Sequence, residues 1–198
     1  MSSDEKKLEV IYDHYKDTST RIQHYCKLRD RLFLYILLAL SLVYLGLFSY
    51  SEAENVLSQF IANKLGLVSV LDISFVGSLI WFGLLVLVIR YFQTVTTIER
   101  YYPYLHKLEN QVDHYCGGNI ITRESKTYLE NYPWFSAWTH FLYTIIFPIF
   151  LFTATTLKIL SEFTYQWSIS ITTIFDFLVF VCLGISTLLY LRLIHYKR

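Results

Sequence analysis

The sequence predicts an all-α, polytopic membrane protein with four transmembrane helices, an N-terminal cytoplasmic helix, and a helical cytoplasmic cap between the second and third spans. Three observations predict it. Four apolar stretches, Leu32–Tyr50, Leu67–Phe92, Phe135–Leu157 and Ile169–Leu191, reach or approach the about 20 residues that a spanning helix needs. Of the 17 Lys and Arg residues, seven precede the first stretch, five lie between Arg90 and Lys126, and three follow Leu191. Only Lys64 and Lys158 remain for the two short connections on the other side. Because basic residues near span ends stay in the cytoplasm, both termini and the central loop are expected inside a cell inner membrane. Aromatic rings mark the expected interfaces: Tyr91, Tyr101, Trp134, Trp138 and Tyr196 inside, Tyr50, Tyr165 and Trp167 outside.

Residues 1–31 form an amphipathic arm and residues 32–198 the membrane domain, with the cap at 93–134. In the arm, Leu8, Ile11, Tyr12, Tyr15, Ile22, Tyr25 and Cys26 follow helical spacing. Thr18 and Ser19 weaken that apolar face. No Pro or Gly interrupts Met1–Tyr44, so the arm can run into the first span as one helix. No cleavable signal peptide is expected, because the first thirty residues are charged and the first apolar stretch is too long, and no lipidation motif is seen at either terminus. The first outer connection, Ser51–Gly66, suits a short interfacial helix. Gly77, Ser78 and Gly83, with Ser74, suggest close helix approach along the second span. Helical patterning continues past Arg90 until Pro103, where a break is expected. Leu105, Leu108, Val112 and Tyr115 then share one face, closed by Gly117-Gly118. Thr122 caps a further short helix that ends before Pro133. Pro148 kinks the third span and frees a carbonyl near Thr144. The echo between His24-Tyr25-Cys26 and His114-Tyr115-Cys116 fits two similar halves.

Chemistry concentrates in few places. Asp72 and Asp176 enter the second and fourth spans by roughly 8 and 10 Å, and Tyr44 reaches a similar depth. A carboxylate at the bilayer centre costs on the order of 2.5–3.5 kcal/mol and usually faces the bundle interior or water. One reading is an intramembrane cation or proton site built from Asp176, Asp72 and Tyr44. The other is structural, with Asp72 bonded to Ser69 or the helix start and Asp176 bonded to Tyr44 or a Thr. Arg90 and His140 lie near the inner boundary, where Arg90 can snorkel to the headgroups. The cytoplasmic His14, His24, Cys26, His106, His114 and Cys116 lack the spacing of a tetrahedral metal site. No nucleophile elbow, phosphate loop or metalloprotease helix is present. The chain is therefore read as neither an enzyme nor a metalloprotein, with no cofactor. The arm mixes its bases with six acids, which suits orientation and anionic lipid rather than nucleic acid.

The layout of inner helical arm, four spans and aromatic inner cap resembles the KwaA-type four-span membrane component of bacterial Kiwa anti-phage systems. The segment Tyr15–Leu40, passing through Lys27-Leu28-Arg29-Asp30-Arg31 into a span, is similar to SLATT-type membrane effectors, from whose usual two spans this chain departs. The resemblance implies a homo-oligomer that senses or permeabilises the membrane during infection, with a cytoplasmic protein partner on the cap. Ile22, Tyr25, Leu105, Leu108, Val112 and Tyr115 are the expected partner or oligomer contacts. A small channel or transporter using the intramembrane carboxylates, and a passive anchor for a soluble partner, are the competing functions.

Overall fold

The computed structural model describes residues 3–48, 73–116, 134–165 and 170–196. Asp72, Lys64, the expected interfacial helix and the expected Gly117-Gly118 and Thr122 caps lie outside the described residues, as do Tyr50 and Trp167. The described elements are helices: α1 Ser3–Phe48, α2 Ile73–Tyr115, α3 Trp134–Phe141, α4 Phe147–Tyr165 and α5 Ile171–Tyr196. A π-helical turn, Leu142–Ile146, joins α3 to α4.

Three described helical stretches are long and apolar enough to cross a membrane: Phe75–Tyr115, Trp138–Ser161 and Ile171–Ile194. Their outward faces are greasy, with Leu79, Leu157 and Leu188 all more than half exposed. Such surface costs about 25 cal/mol per Å² in water, whereas hydrocarbon accepts it. The fold is all-helical and fits a bilayer.

The chain divides into two compact units, one from Met1–Arg31 with Tyr91–Tyr143, the other from Leu32–Arg90 with Thr144–Arg198. In the first unit, α1 turns Ile11, Tyr15, Thr18, Ile22 and Tyr25 inward at alternating steps of four and three residues. α2 answers with Tyr91, Val95, Ile98, Leu105, Glu109 and Val112 in the same rhythm. This is the heptad spacing of supercoiled helices. Thr18, which sequence alone makes a weak point, takes a seam position and is buried. The two segments run antiparallel. Tyr25 stacks on Tyr101 with centroids 5.9 Å apart, while Ile11 borders a groove with His106 and His114. On the exposed side of this packing, Arg21 pairs with Asp17 one turn before it at 3.0 Å. Arg29 continues the seam and is matched by Asp30 at 2.8 Å and by the Tyr143 ring, 5.5 Å from the guanidinium carbon.

Pro103 does not break α2, contrary to the expectation above: the helix runs through it to Tyr115. A mid-helix proline costs about 3 kcal/mol through a lost N–H bond and a ring clash. Here the ring sits on the exposed side between Tyr102 and Tyr104. The buried positions Ile98 and Leu105 on either side keep the segment helical.

Before Pro148 the backbone takes a π-helical turn, Leu142–Ile146. It ends two residues ahead of the proline, with Phe147 between them. In π geometry the donor to the Tyr143 carbonyl is residue 148, and proline has no N–H. The Tyr91 hydroxyl donates to that carbonyl at 3.2 Å. The glycines of α2 mark no close helix approach among the described residues, where a side chain added at Gly77 or Gly83 would meet nothing within 4 Å. The tight place is Gly184 on α5, where an added Cβ would come within 3.3 Å of the Phe152 ring.

Two outcomes are expected. Ile22→Ala should destabilise the protein by about 2–5 kcal/mol, while Val10→Ala on the exposed face stays within about 0.5 kcal/mol, read by circular-dichroism unfolding in detergent. Burial pushes the Cys26 thiol above its ordinary range, with Asp30 adding to the shift and Arg29 opposing it. Cys26 should therefore be alkylated by iodoacetamide more slowly at pH 8 in the folded protein than after denaturation. Its rate should keep climbing above the pH at which an ordinary thiol levels off.

Candidate functional site

The site lies in the second unit, where α4 and α5 pack together and residues of α1 and α2 close over them. α4 buries Phe147, Leu151, Ala154, Thr155 and Lys158 at helical spacing, and α5 buries Asp176, Val179, Leu183, Thr187 and Tyr190. The threonines in this stretch do not seek partners across the bundle. Thr155 and Thr187 donate to the carbonyls of Phe152 and Leu183 in their own helices, at 2.9 Å each, a common way to satisfy a hydroxyl in an apolar setting.

The remaining polar groups converge. The Lys158 ammonium donates to Asp176 Oδ2 at 2.5 Å, with 6% and 7% of the two side chains exposed. The Trp81 ring, fully buried, lies 4.5 Å from Lys158 Nζ. Its indole N–H donates to the Asp176 backbone carbonyl at 3.1 Å. One tryptophan thus contacts both members of the pair, contributing a cation–π attraction and a hydrogen bond. Phe82 beside it packs on Phe175, with ring centroids 6.1 Å apart. Lys158 lies about 10 Å before the end of α4 and Asp176 about 8 Å after the start of α5. Asp176 Oδ1 and Ser78 Oγ are both buried and have no hydrogen-bond partner among the described residues.

This arrangement revises two expectations. Lys158 does not lie in an outer connection: α4 continues to Tyr165 and holds it on its buried face. Asp176 is not bonded to Tyr44 or to a threonine. Tyr44 donates instead to the Ala154 carbonyl at 2.7 Å, one helical turn from Lys158. The physical reason is charge. A lone carboxylate in an apolar bundle is held more strongly by an ammonium than by a neutral hydroxyl.

The expected contact residues lie in the first unit. Ile22, Leu105, Leu108 and Val112 are buried in its helix packing, Tyr25 is half-buried against Tyr101, and Tyr115 is exposed. Three buried residues, Lys158, Trp81 and Glu109, carry little signal of their burial in the sequence. Lys158 is flanked by Leu157, Ile159 and Leu160, so the apolar run does not end at it. Trp81 lies in mid-span, away from the interfaces where tryptophan usually gathers. Glu109 sits one turn from Leu105 and three residues before Val112, on the apolar stripe itself. It is 1% exposed, with Oε2 3.0 Å from His106 Nδ1. Among the described residues no three His, Cys, Asp or Glu side chains are grouped to hold a metal ion. No family model, curated protein or solved structure matches the chain.

The pair's energetics are testable. Lys158→Met strands the Asp176 carboxylate and should cost about 3–5 kcal/mol, whereas Lys158→Met with Asp176→Leu should recover most of it. Thermal unfolding of both single variants and the double variant, analysed as a double-mutant cycle, measures the coupling.

Proposed function

We propose that this chain is a four-span inner-membrane protein of the sensor–effector class. In this reading the first unit faces the cytoplasm and receives the signal, and the spans rearrange in response. The observation that carries it is that α1 and α2 each contribute an uninterrupted helical segment to both units. A helix that melts or shifts in one segment disturbs hydrogen bonding and packing in the next, so long shared helices suit transmission. The fourth span of this reading is the apolar second half of α1, where Leu34, Leu38 and Leu42 are exposed. The basic residues before it and after Arg90 favour the cytoplasmic side for the first unit.

The layout resemblance to membrane components of anti-phage systems makes infection the proposed stimulus and homo-oligomerisation the proposed state of assembly. A single helical bundle of this size is filled by side chains, so permeabilisation would need several copies. A second reading, a small channel or transporter, is favoured by the buried Asp176 Oδ1, an acceptor without a hydrogen-bond partner among the described residues.

Membrane potential in bacteria expressing the chain, with and without phage challenge, tests the reading. A sensor–effector depolarises the cell only on challenge, and Leu108→Asp, which unseats the first unit, abolishes the response. Depolarisation without challenge that disappears in Asp176→Asn favours the channel. An unchanged potential in every condition counts against both.

A further inference from the structure

Among the described helices, the turn at Leu142–Ile146 departs from α geometry. Such π turns are rare and gather at functional sites, so a contact that favours this one is informative. The Tyr143 carbonyl is where the two geometries differ. In α geometry its donor is the N–H of Phe147, four residues on. In π geometry its donor is position 148, and Pro148 has no N–H. The Tyr91 hydroxyl donates to it instead, at 3.2 Å. One carbonyl thus has two alternative donors: a side chain in the π form, and its own helix backbone in the α form. Exchanging one hydrogen bond for another keeps two such forms close in energy.

The two sides of the turn are held unequally. Phe147 is buried, and its ring meets Phe33 with centroids 4.7 Å apart. On the other side, α3 exposes Trp134 by 82%, Phe135 by 73% and Trp138 by 45%. Trp134 and Trp138 stack on each other with centroids 6.4 Å apart, and Trp138 continues to Phe141 at 5.9 Å. Tyr143 carries two contacts of the first unit, the Tyr91 hydroxyl on its carbonyl and the Arg29 guanidinium carbon 5.5 Å from its ring. Both belong to the π form.

We propose that the π turn is a register switch and that Tyr91 is its latch. When the Tyr91 hydroxyl leaves, the turn tightens to α geometry and the Phe147 N–H takes the Tyr143 carbonyl. α3 then turns about its own axis by the step of one residue, about 100°. The row Trp134, Trp138 and Phe141 changes the direction it faces, while Phe147 keeps its seat on Phe33. The device needs only these residues and stands apart from the sensor reading.

The sequence supplies a selective probe. Tyr143-Thr144 is the single Tyr-Thr step in the chain. Full-length protein grown with carbonyl-¹³C tyrosine and ¹⁵N threonine therefore gives one amide correlation per form, reporting the Tyr143 carbonyl. In detergent the wild type should show a major and a minor signal, and Tyr91→Phe should shift their ratio toward the minor one by about fivefold or more. A Tyr91→Phe signal displaced instead to the position of an unbonded carbonyl would overturn the proposal, because the turn then persists without its latch. Rotation is read within the first unit, by spin labels at Thr139→Cys on α3 and Lys107→Cys on α2, with the three native cysteines replaced by serine. Tyr91→Phe should populate a second label separation, and an unchanged separation would overturn the proposal. Should Tyr91→Phe lose its helical circular dichroism, the wild type alone decides. A second carbonyl signal and a second separation that grow together on warming support the switch. Single values of both at every temperature up to unfolding would overturn it.

Discussion

An ammonium 2.5 Å from a carboxylate, deep in an apolar bundle, sets terms for everything around it. Neither charge is tolerable there by itself, so α4 and α5 must stay in the register that joins them. Trp81 ties α2 to the same point by contacting the lysine through its ring and the aspartate backbone through its N–H. Nearly everything else in this unit is non-directional packing of Leu, Val, Ile and Phe, which leaves helices free to slide or rotate at small cost. The pair, its tryptophan and the Tyr44 hydroxyl bonded to the Ala154 carbonyl supply directional contacts that choose one arrangement. In lipid this matters more than in water, because apolar association between helices is weak when the solvent is itself apolar.

The first unit is held by different means. Its helices bury an alternating four-and-three stripe, but the stripe is unusually polar for its depth. Thr18, Glu109 and half-buried Arg29 occupy positions that a simple zipper would give to leucine. Each polar seam residue narrows the set of registers in which its partners can be met. Arg29 is matched by Asp30 and the Tyr143 ring, and Glu109 by His106. The same economy appears at Pro148, where a missing backbone donor is absorbed by a π turn and the Tyr91 hydroxyl takes the freed carbonyl.

Much of this was legible in the sequence. Apolar run length identifies helices that suit a bilayer, since backbone groups in hydrocarbon must bond within their own segment. Helical spacing in the arm and cap identified the faces now buried by Ile22, Leu105, Leu108 and Val112. The importance of Asp176 was visible because an acid in an apolar run is rare. Its partner was not. Lys158 falls near the expected end of a span, where a lysine ordinarily marks the boundary, and only the continuation of α4 shows it to be inside. Pro103 carries a local signal for a break, which the buried Ile98 and Leu105 on either side override. The glycines of the second span permit close approach without requiring it, and the tight contact falls at Gly184 instead.

The sequence by itself determined that the chain is helical, that its apolar stretches suit a membrane, and which residues are too polar to face lipid. Those conclusions follow from composition and period, which are local properties. Tertiary structure alone decided the pairing of Asp176 with Lys158 rather than Tyr44, the role of Trp81 in joining them, and the burial of Thr18 and Glu109 at a seam. These depend on rotation and register between helices distant in the chain. One residue of shift turns a side chain by about 100°, and no one-dimensional pattern specifies that angle.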